Sequence, residues 1–523
     1  MRRFVIAAAL ITVTTVAMAQ QPAFDIVIVN GRVVDGTGAP ARAGSIGIRN
    51  GLIARVGGVT AAEGSLAIDA RGEVVAPGFV DVHTHADNLA DRREAANFIR
   101  MGVTTIVAGN CGSSALDIGE AFQAIEGVGP AVNYATLVGH NTVRAAVMGR
   151  AQRDPSAGEL RRMQALVFKA MTNGALGFST GLQDIPGTYA SSAEIIELAQ
   201  VAANEGGIYA THMRNEGTAL LDAVRESINV GSILQMPVQI SHLKVDSPSR
   251  WGASTEALAL IDTARRRGVD VEADQYAYTA GSSSLSIRFP SWALEGTSAD
   301  VTARLKDLET WTRIKGEMMQ LVLDRGFMDL SWATVATYQA EPAFNGRTMK
   351  EVAQEMFGGE SAGQQLEAAR TMMLSGGASM VYHFMSEDDV ERIMRHPMVS
   401  ITSDSGVVTP GSGVPHPRGM GNAARVLGLY VRERKVVSLE EAVRKMTSLP
   451  ARHFGLAGRG EIRVGAAADV VVFDPATVGD TATFAAPHAY PVGISHVLVN
   501  GVPAVRKGEP LGTRSGQVLR HSQ

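Results

Sequence analysis

At 523 residues the chain is longer than one ordinary domain, so a large domain with a smaller companion is expected. Its hydrophobic share of 45% and charged share of 19% describe a globular protein with ample core, which excludes a disordered or low-complexity chain. A formal net charge of −4 with interspersed signs gives no reason to expect nucleic acid or another polyanion as partner.

The chain opens with "MRRFVIAAALITVTTVAMAQ". Arg2 and Arg3, an apolar run over 4–16 and the small-residue site Ala17-Met18-Ala19 read as a signal peptide over 1–19. Export to a periplasm is expected, with cleavage near Ala19 and no membrane attachment afterwards. In an oxidising compartment cysteines usually pair, yet Cys111 is the only one in the chain. A free thiol survives there when it is buried or bound to metal.

After the leader, Asn-Gly pairs at Asn30-Gly31 and Asn50-Gly51 predict hairpins between short strands, because this dipeptide tolerates positive φ. The pattern returns at Asn500-Gly501, preceded by the strand in "GAAADVVVFDP". Residues 22–76 and 455–523 are therefore expected to form one small β-sandwich from both chain ends. The centre, 77–454, alternates apolar strand-like runs with amphipathic helices. Ser156, Ser192 and Ser254 are expected as N-caps, and Glu159 completes a capping box with Ser156. Eight such strands predict an α/β fold, a (β/α)8 TIM barrel. The open doubly wound alternative lacks a glycine-rich phosphate loop after its first strand. The segment of about 285–398 is too long for a crossover and is expected to be an insertion between strands 7 and 8.

Chemistry gathers at the C-terminal ends of those strands, which share one crater in a barrel of this kind. His83 and His85 end the first, Cys111 follows the second, His212 ends the fifth, His242 the sixth and Asp404 the eighth. A lone histidine is more often a satisfied core residue, but common placement on five strands points to a divalent metal. In "HTH" both imidazoles face one side of a strand, and histidines facing a thiolate suit Zn²⁺. A cysteine nucleophile is the weaker reading, since every nearby histidine is better placed as a ligand than as a base.

The motifs "PGFVDVHTHAD", "GNCG", "GALGFSTGL", "THMRNEG", "ISHLK", "DQYAYTAGSSSL", "TSDSG" and "HPRGMG" resemble those of the amidohydrolase superfamily, specifically the N-acyl-D-amino-acid deacylase (D-aminoacylase) family. The resemblance spans nearly all of the mature chain. It implies that Cys111, His212 and His242 hold a tight zinc, while His83, His85 and Asp404 form a weaker second metal position. Cys111 stands in for the bridging lysine carbamate of other branches, and no lysine occurs in "GALGFSTG". The resemblance further implies Asp404 as general base and acid, and Lys244, Tyr278, Ser284 and Arg418 as binders of the substrate α-carboxylate. The expected partner is a small N-acyl amino acid or short peptide. Asp184, in the loop after "GFSTGL", is expected to disfavour acidic substrates if that loop lines the side-chain pocket. A metallo-dipeptidase acting before a C-terminal D-residue and a cyclic-amide hydrolase are the alternative enzymes. A binding scaffold without activity is disfavoured by the intact ligand set.

Overall fold

The computed structural model describes residues 22–521, so the leader expected over 1–19 lies outside the described residues. The two chain ends meet in one nine-stranded sheet. Its N-terminal strands are Phe24–Val33, Arg42–Arg49, Leu52–Val56, Gly64–Asp69 and Val74–Pro77. The C-terminal end adds Val470–Phe473, Ile494–Val499, Val502–Arg506 and Glu509–Pro510. The seam is antiparallel pairing of Val74–Pro77 with Val470–Phe473. Alternation along the strands sends Ile26, Ile28, Ile46 and Ile48 into the same buried cluster as Val470, Val472 and Leu498. The expected sandwich is thus built as one continuous hydrogen-bonded sheet.

Two of the three Asn-Gly pairs expected to turn hairpins do so: Asn50-Gly51 joins Arg42–Arg49 to Leu52–Val56, and Asn500-Gly501 joins Ile494–Val499 to Val502–Arg506. Asn30-Gly31 does not. Asn30 takes the same left-handed backbone (φ 56°), but the strand Phe24–Val33 runs straight through it as a bulge between Ile28 and Gly31. The partner Arg42–Arg49 follows both halves, so positive φ here inserts a residue instead of reversing the chain.

The barrel strands are Phe79–Asp81, Val103–Ala108, Asn133–Thr136 with its continuation Val138–Gly139, Gly177–Gly181, Ile208–His212, Val238–Ile240, Val271–Gln275 and Val399–Ile401. Every neighbouring pair within its two sheet segments is parallel. The circle closes where the first strand meets the last: Thr84 bridges Ser405, His85 N donates to Ser405 O (3.0 Å), and Asp404 N donates to His83 O (3.0 Å). Closure itself therefore sets His83, His85 and Asp404 side by side. The C-terminal tail returns to the barrel, with Tyr134 N donating to Gln517 O and Leu519 N to Tyr134 O.

Ser156 caps the helix Ala157–Thr172 with Glu159 in a capping box, as expected. The next two caps fall one residue earlier than the sequence indicated. Ser191 caps Ser192–Asn204, and Ser254 is the first residue of its helix, bonded to Asp389 across the fold. The insertion begins at Ala280, where the strand Ala280–Ser284 starts a three-stranded antiparallel sheet with Ala333–Thr337 and Ser379–His383. Four helices, Ser298–Lys306, Leu308–Asp324, Met349–Phe357 and Ala362–Leu374, complete it. The helix Glu387–Arg395, within the expected span, packs on the last barrel strand and on Ser254–Arg266 as an ordinary barrel helix.

Candidate metal centre and active site

The six candidate ligands converge in one crater. Cys111 Sγ lies 3.3 Å from His83 Nε2 and 3.6 Å from His242 Nε2, whose ring reaches His212 Nδ1 at 3.2 Å. On the other side, Asp404 Oδ1 is 3.5 Å from His83 Nε2 and 3.1 Å from His85 Nε2. The donors form triads His83–Cys111–His242 and His83–His85–Asp404, with His83 shared, and a third, His212–Glu216–His242. Thiolate and imidazole donors on buried strand ends are a zinc-type set, and His212 Nε2 is buried without a hydrogen-bond partner. The residues present fit a divalent metal.

Their aim is fixed by carboxylates behind them. His83 Nδ1 donates to Asp274 Oδ1 (3.0 Å), which leaves Nε2 facing the crater. Asp274 also accepts from His242 N, Gln239 Nε2 and Thr402 Oγ1, so one acid orients a ligand and ties three strands. His242 Nδ1 lies 2.8 Å from Glu216 Oε1, again leaving Nε2 for the crater. Glu216 was missed in the sequence, although it stands four residues after His212 within "THMRNEG".

Backbone strain marks the same residues. Cys111 (φ 51°), His242 (φ 36°) and Asp404 (φ 49°) are all left-handed, which is uncommon for residues with a Cβ and recurs where a site over-determines the chain. Ser179 of the fourth strand, where the sequence has no lysine, pins the cysteine turn. Its hydroxyl accepts from Gly112 N (3.1 Å) and donates to Gly109 O (2.5 Å).

Charge in the cluster is arranged for proton exchange with a metal. Burial opposes a charged Cys111, but His83 and His242 pull its thiol well below the ordinary value. Burial likewise opposes charge on the imidazoles. Even so, Glu216 and Cys111 raise His212 to about 9, and Asp404 and Cys111 raise His85 to about 10. At pH 7 the metal-free cluster thus carries protons that a bound cation must displace, and apparent affinity falls as pH falls below about 9. Zn²⁺ uptake by the metal-free chain at pH 7 is expected to release protons, read by calorimetry in buffers of different ionisation enthalpy. Identical heats in all buffers would contradict this.

Asp404 is held ionised. Burial alone would raise its pKa, but Arg418 and His83 keep it well below the usual carboxylate range. Arg418 Nη1 lies 2.8 Å from Asp404 Oδ2, yet its N–H is not directed at that oxygen and the atom has no hydrogen-bond partner. The guanidinium stacks on Tyr276, 4.6 Å from the ring centroid. Its loop is set by His416, which accepts from Arg418 N at Nδ1 (3.0 Å) and donates to Ala280 O from Nε2 (2.8 Å).

A cavity of about 420 Å³ opens over the cluster, lined by His85, Cys111, His212, His242 and Asp404 together with Lys244 and Arg418. Lys244 is buried, its Nζ donating to Glu216 Oε1 (2.6 Å) and His242 O (3.0 Å). Ser284 reaches the wall at an exposed position, but its hydroxyl caps the following turn by accepting from Ser286 N. Tyr278 is not on this wall. Its hydroxyl donates to Asp480 Oδ2 (3.3 Å) and its ring packs against His416 and Phe484. The strand Val271–Gln275 ends before it, and Asn422 and Arg425 pin the bend at Ala277. Alternation therefore stops, and Tyr276 takes the crater position with Ser282 and Ser283. His140 stays behind the wall, bonded to Glu194 (2.8 Å). Asp184 lines the cavity, where burial raises its carboxyl above the ordinary value against the pull of His212, His85 and His242, with Cys111 adding to the rise.

A closed parallel barrel with a histidine, cysteine and carboxylate cluster at its strand ends is the architecture of a metal-dependent hydrolase. The profile of the amidohydrolase family matches residues 66–505. The chain is 38% identical to an N-acyl-D-glutamate deacylase of Alcaligenes xylosoxydans xylosoxydans, over 96% of this chain and 97% of that one. It is equally 38% identical to a D-aminoacylase of the same organism, over 95% and 97%. Among solved structures, an N-acyl-D-glutamate deacylase of Bordetella bronchiseptica, complexed with zinc and a phosphonate mimic of the tetrahedral intermediate, superposes with a TM-score of 0.82. That protein is 36% identical, with 95% and 99% of the two chains covered. The chain belongs to the amidohydrolase family, in its N-acyl-D-amino-acid deacylase (D-aminoacylase) branch.

Proposed function

We propose that this chain hydrolyses the amide bond of N-acyl-D-amino acids, releasing a carboxylate and a free D-amino acid. The observation that carries the reading is the meeting, in one cavity, of a thiolate–imidazole cluster, an ionised Asp404 and the cations Arg418 and Lys244. Cys111, His212 and His242 would hold the tight zinc, with His83, His85 and Asp404 as a weaker second position. Bound metal supplies Lewis acidity to the attacking water and the scissile carbonyl.

The rest is done by the chain itself. Asp404 accepts the proton of the water and returns it to the leaving nitrogen. Arg418, with its undirected N–H, and Lys244 receive the α-carboxylate, and Tyr276 supports the guanidinium from beneath. Glu216 and Asp274 keep the imidazoles aimed. Export by the 1–19 leader completes the reading.

The test is a panel of N-acetyl-D- and N-acetyl-L-amino acids with the zinc-loaded chain, following release of free amine. Turnover of the D series and not the L series is expected. Equal rates on both overturn the stereochemical part, and turnover confined to hydantoin or dihydropyrimidine rings overturns the linear-amide reading.

A further inference from the structure

The crater occupies one end of the barrel, and a second cluster of metal-type donors closes the other. Asp270 and Glu272 stand at the start of the strand Val271–Gln275, near whose far end lies Asp274. Residues two apart in a strand share a face, so Glu272 points the same way as Asp274 but at the floor of the barrel. The helix Ser448–His453 and the turn after it plug that floor, where Ala451, Phe454 and Leu456 share a buried cluster with Val80, Val107 and Ala210. The plug brings His453 against both acids. Its Nδ1 lies 3.8 Å from Asp270 Oδ2 and 3.9 Å from Glu272 Oε1.

Three features separate this cluster from an ordinary ion pair. His453 Nε2 donates to Val238 O (3.1 Å), which in the neutral ring leaves the Nδ1 lone pair facing the acids, as a metal-binding imidazole requires. Glu272 is only 8% exposed, its Oε2 has no hydrogen-bond partner, and burial pushes its carboxyl above the ordinary value. A buried carboxylate without partners is costly unless something supplies the missing charge. The spacing is the third. Separations of 3.8 and 3.9 Å are too long for hydrogen bonds, and close to the ~3.4 Å between donors around a tetrahedral zinc with bonds of about 2.1 Å. All three donor atoms lie within 4.8 Å of one another. Arg265 Nη1 takes Asp270 Oδ1 (3.2 Å) and leaves Oδ2 to the cluster, while the exposed position of Asp270 gives a cation its way in.

We propose that Asp270, Glu272 and His453 form a structural site for a divalent first-row cation at the floor of the barrel, separate from the catalytic centre. One imidazole and two carboxylates suit Zn²⁺, with water completing the shell. A cation here neutralises the buried carboxylate of Glu272. It also ties the plug helix to the seventh strand through the acids, and His453 already ties it to Val238 of the sixth. The floor of a barrel carries stability and the crater carries chemistry, so this metal acts on folding and not on turnover. The inference stands independently of the deacylase reading.

The experiment strips the full chain of metal, dialyses it against micromolar Zn²⁺ and counts bound zinc per chain in wild type, Glu272→Gln and His453→Gln. Neither substituted residue lines the crater, so turnover of N-acetyl-D-amino acids reports an intact catalytic centre. The wild type is expected to hold one zinc more than either variant, in which affinity at the floor falls by at least about 100-fold. Added Zn²⁺ should also raise the melting temperature of the wild type further than that of the variants. Glu272→Gln keeps the side chain's shape and removes only its charge, so it decides the matter alone if His453→Gln fails to fold. Equal zinc counts in wild type and Glu272→Gln overturn the site, whatever the melting temperatures. A zinc lost together with turnover belongs to the crater and overturns it as well.

Discussion

Asp404→Asn is expected to lower kcat by about 10³-fold while tight metal content and KM stay close to wild type. The substitution keeps the side chain's shape but removes the lone pair that takes a proton from water. An amide is too weak a base for that step, and it has nothing to return to the leaving nitrogen. The strained backbone at this position (φ 49°) tolerates asparagine better than most residues, so the fold should survive the change. The tight ligands Cys111, His212 and His242 are untouched, which separates loss of proton transfer from loss of metal. Stopped-assay kinetics with parallel metal analysis gives the answer. Near-normal turnover with metal in place would remove Asp404 as the proton shuttle.

The reach of the sequence can be judged residue by residue. The alternation in "HTH" and the equivalence of strand ends were enough to gather His83, His85, Cys111, His212, His242 and Asp404, because both follow from local periodicity and barrel topology. Glu216 and Tyr276 were harder. Each stands on a loop beyond a strand end, where alternation no longer says which way a side chain points. The resemblance placed Tyr278 among the carboxylate binders, but the strand ends at Gln275 and Tyr278 turns to Asp480. Asn30-Gly31 shows the same limit from the other side. The dipeptide dictates positive φ, but whether positive φ turns a hairpin or makes a bulge depends on the partner strand.

Cys111→Ala should produce the other large effect: loss of tightly held zinc by at least about 100-fold in affinity, with turnover falling in step. The structure gives the thiol little else to do. It has no second cysteine to pair with, and its neighbours at hydrogen-bond range are imidazole nitrogens. Its turn is costly to build, requiring a left-handed Cys111 between Gly109 and Gly112. A Cβ on Gly112 would meet the Asn141 amide at 2.3 Å, and one on Gly109 would meet Leu137 O at 2.2 Å. A buried thiol kept only for packing would not need that geometry. Alanine removes one sulfur and leaves space that the strand ends, locked by Ser179, Asp274 and Glu216, are unable to close. The melting temperature of the metal-free protein should therefore change little, while the stabilisation conferred by added Zn²⁺ on the wild type disappears in the variant. Thiol alkylation supplies an independent check. Iodoacetamide should modify metal-free wild type faster than the zinc-loaded form, since a thiolate committed to metal is masked. If Cys111→Ala retains tight zinc and full turnover, the thiol is not a ligand, and the cluster must be redrawn around His83, His212 and His242.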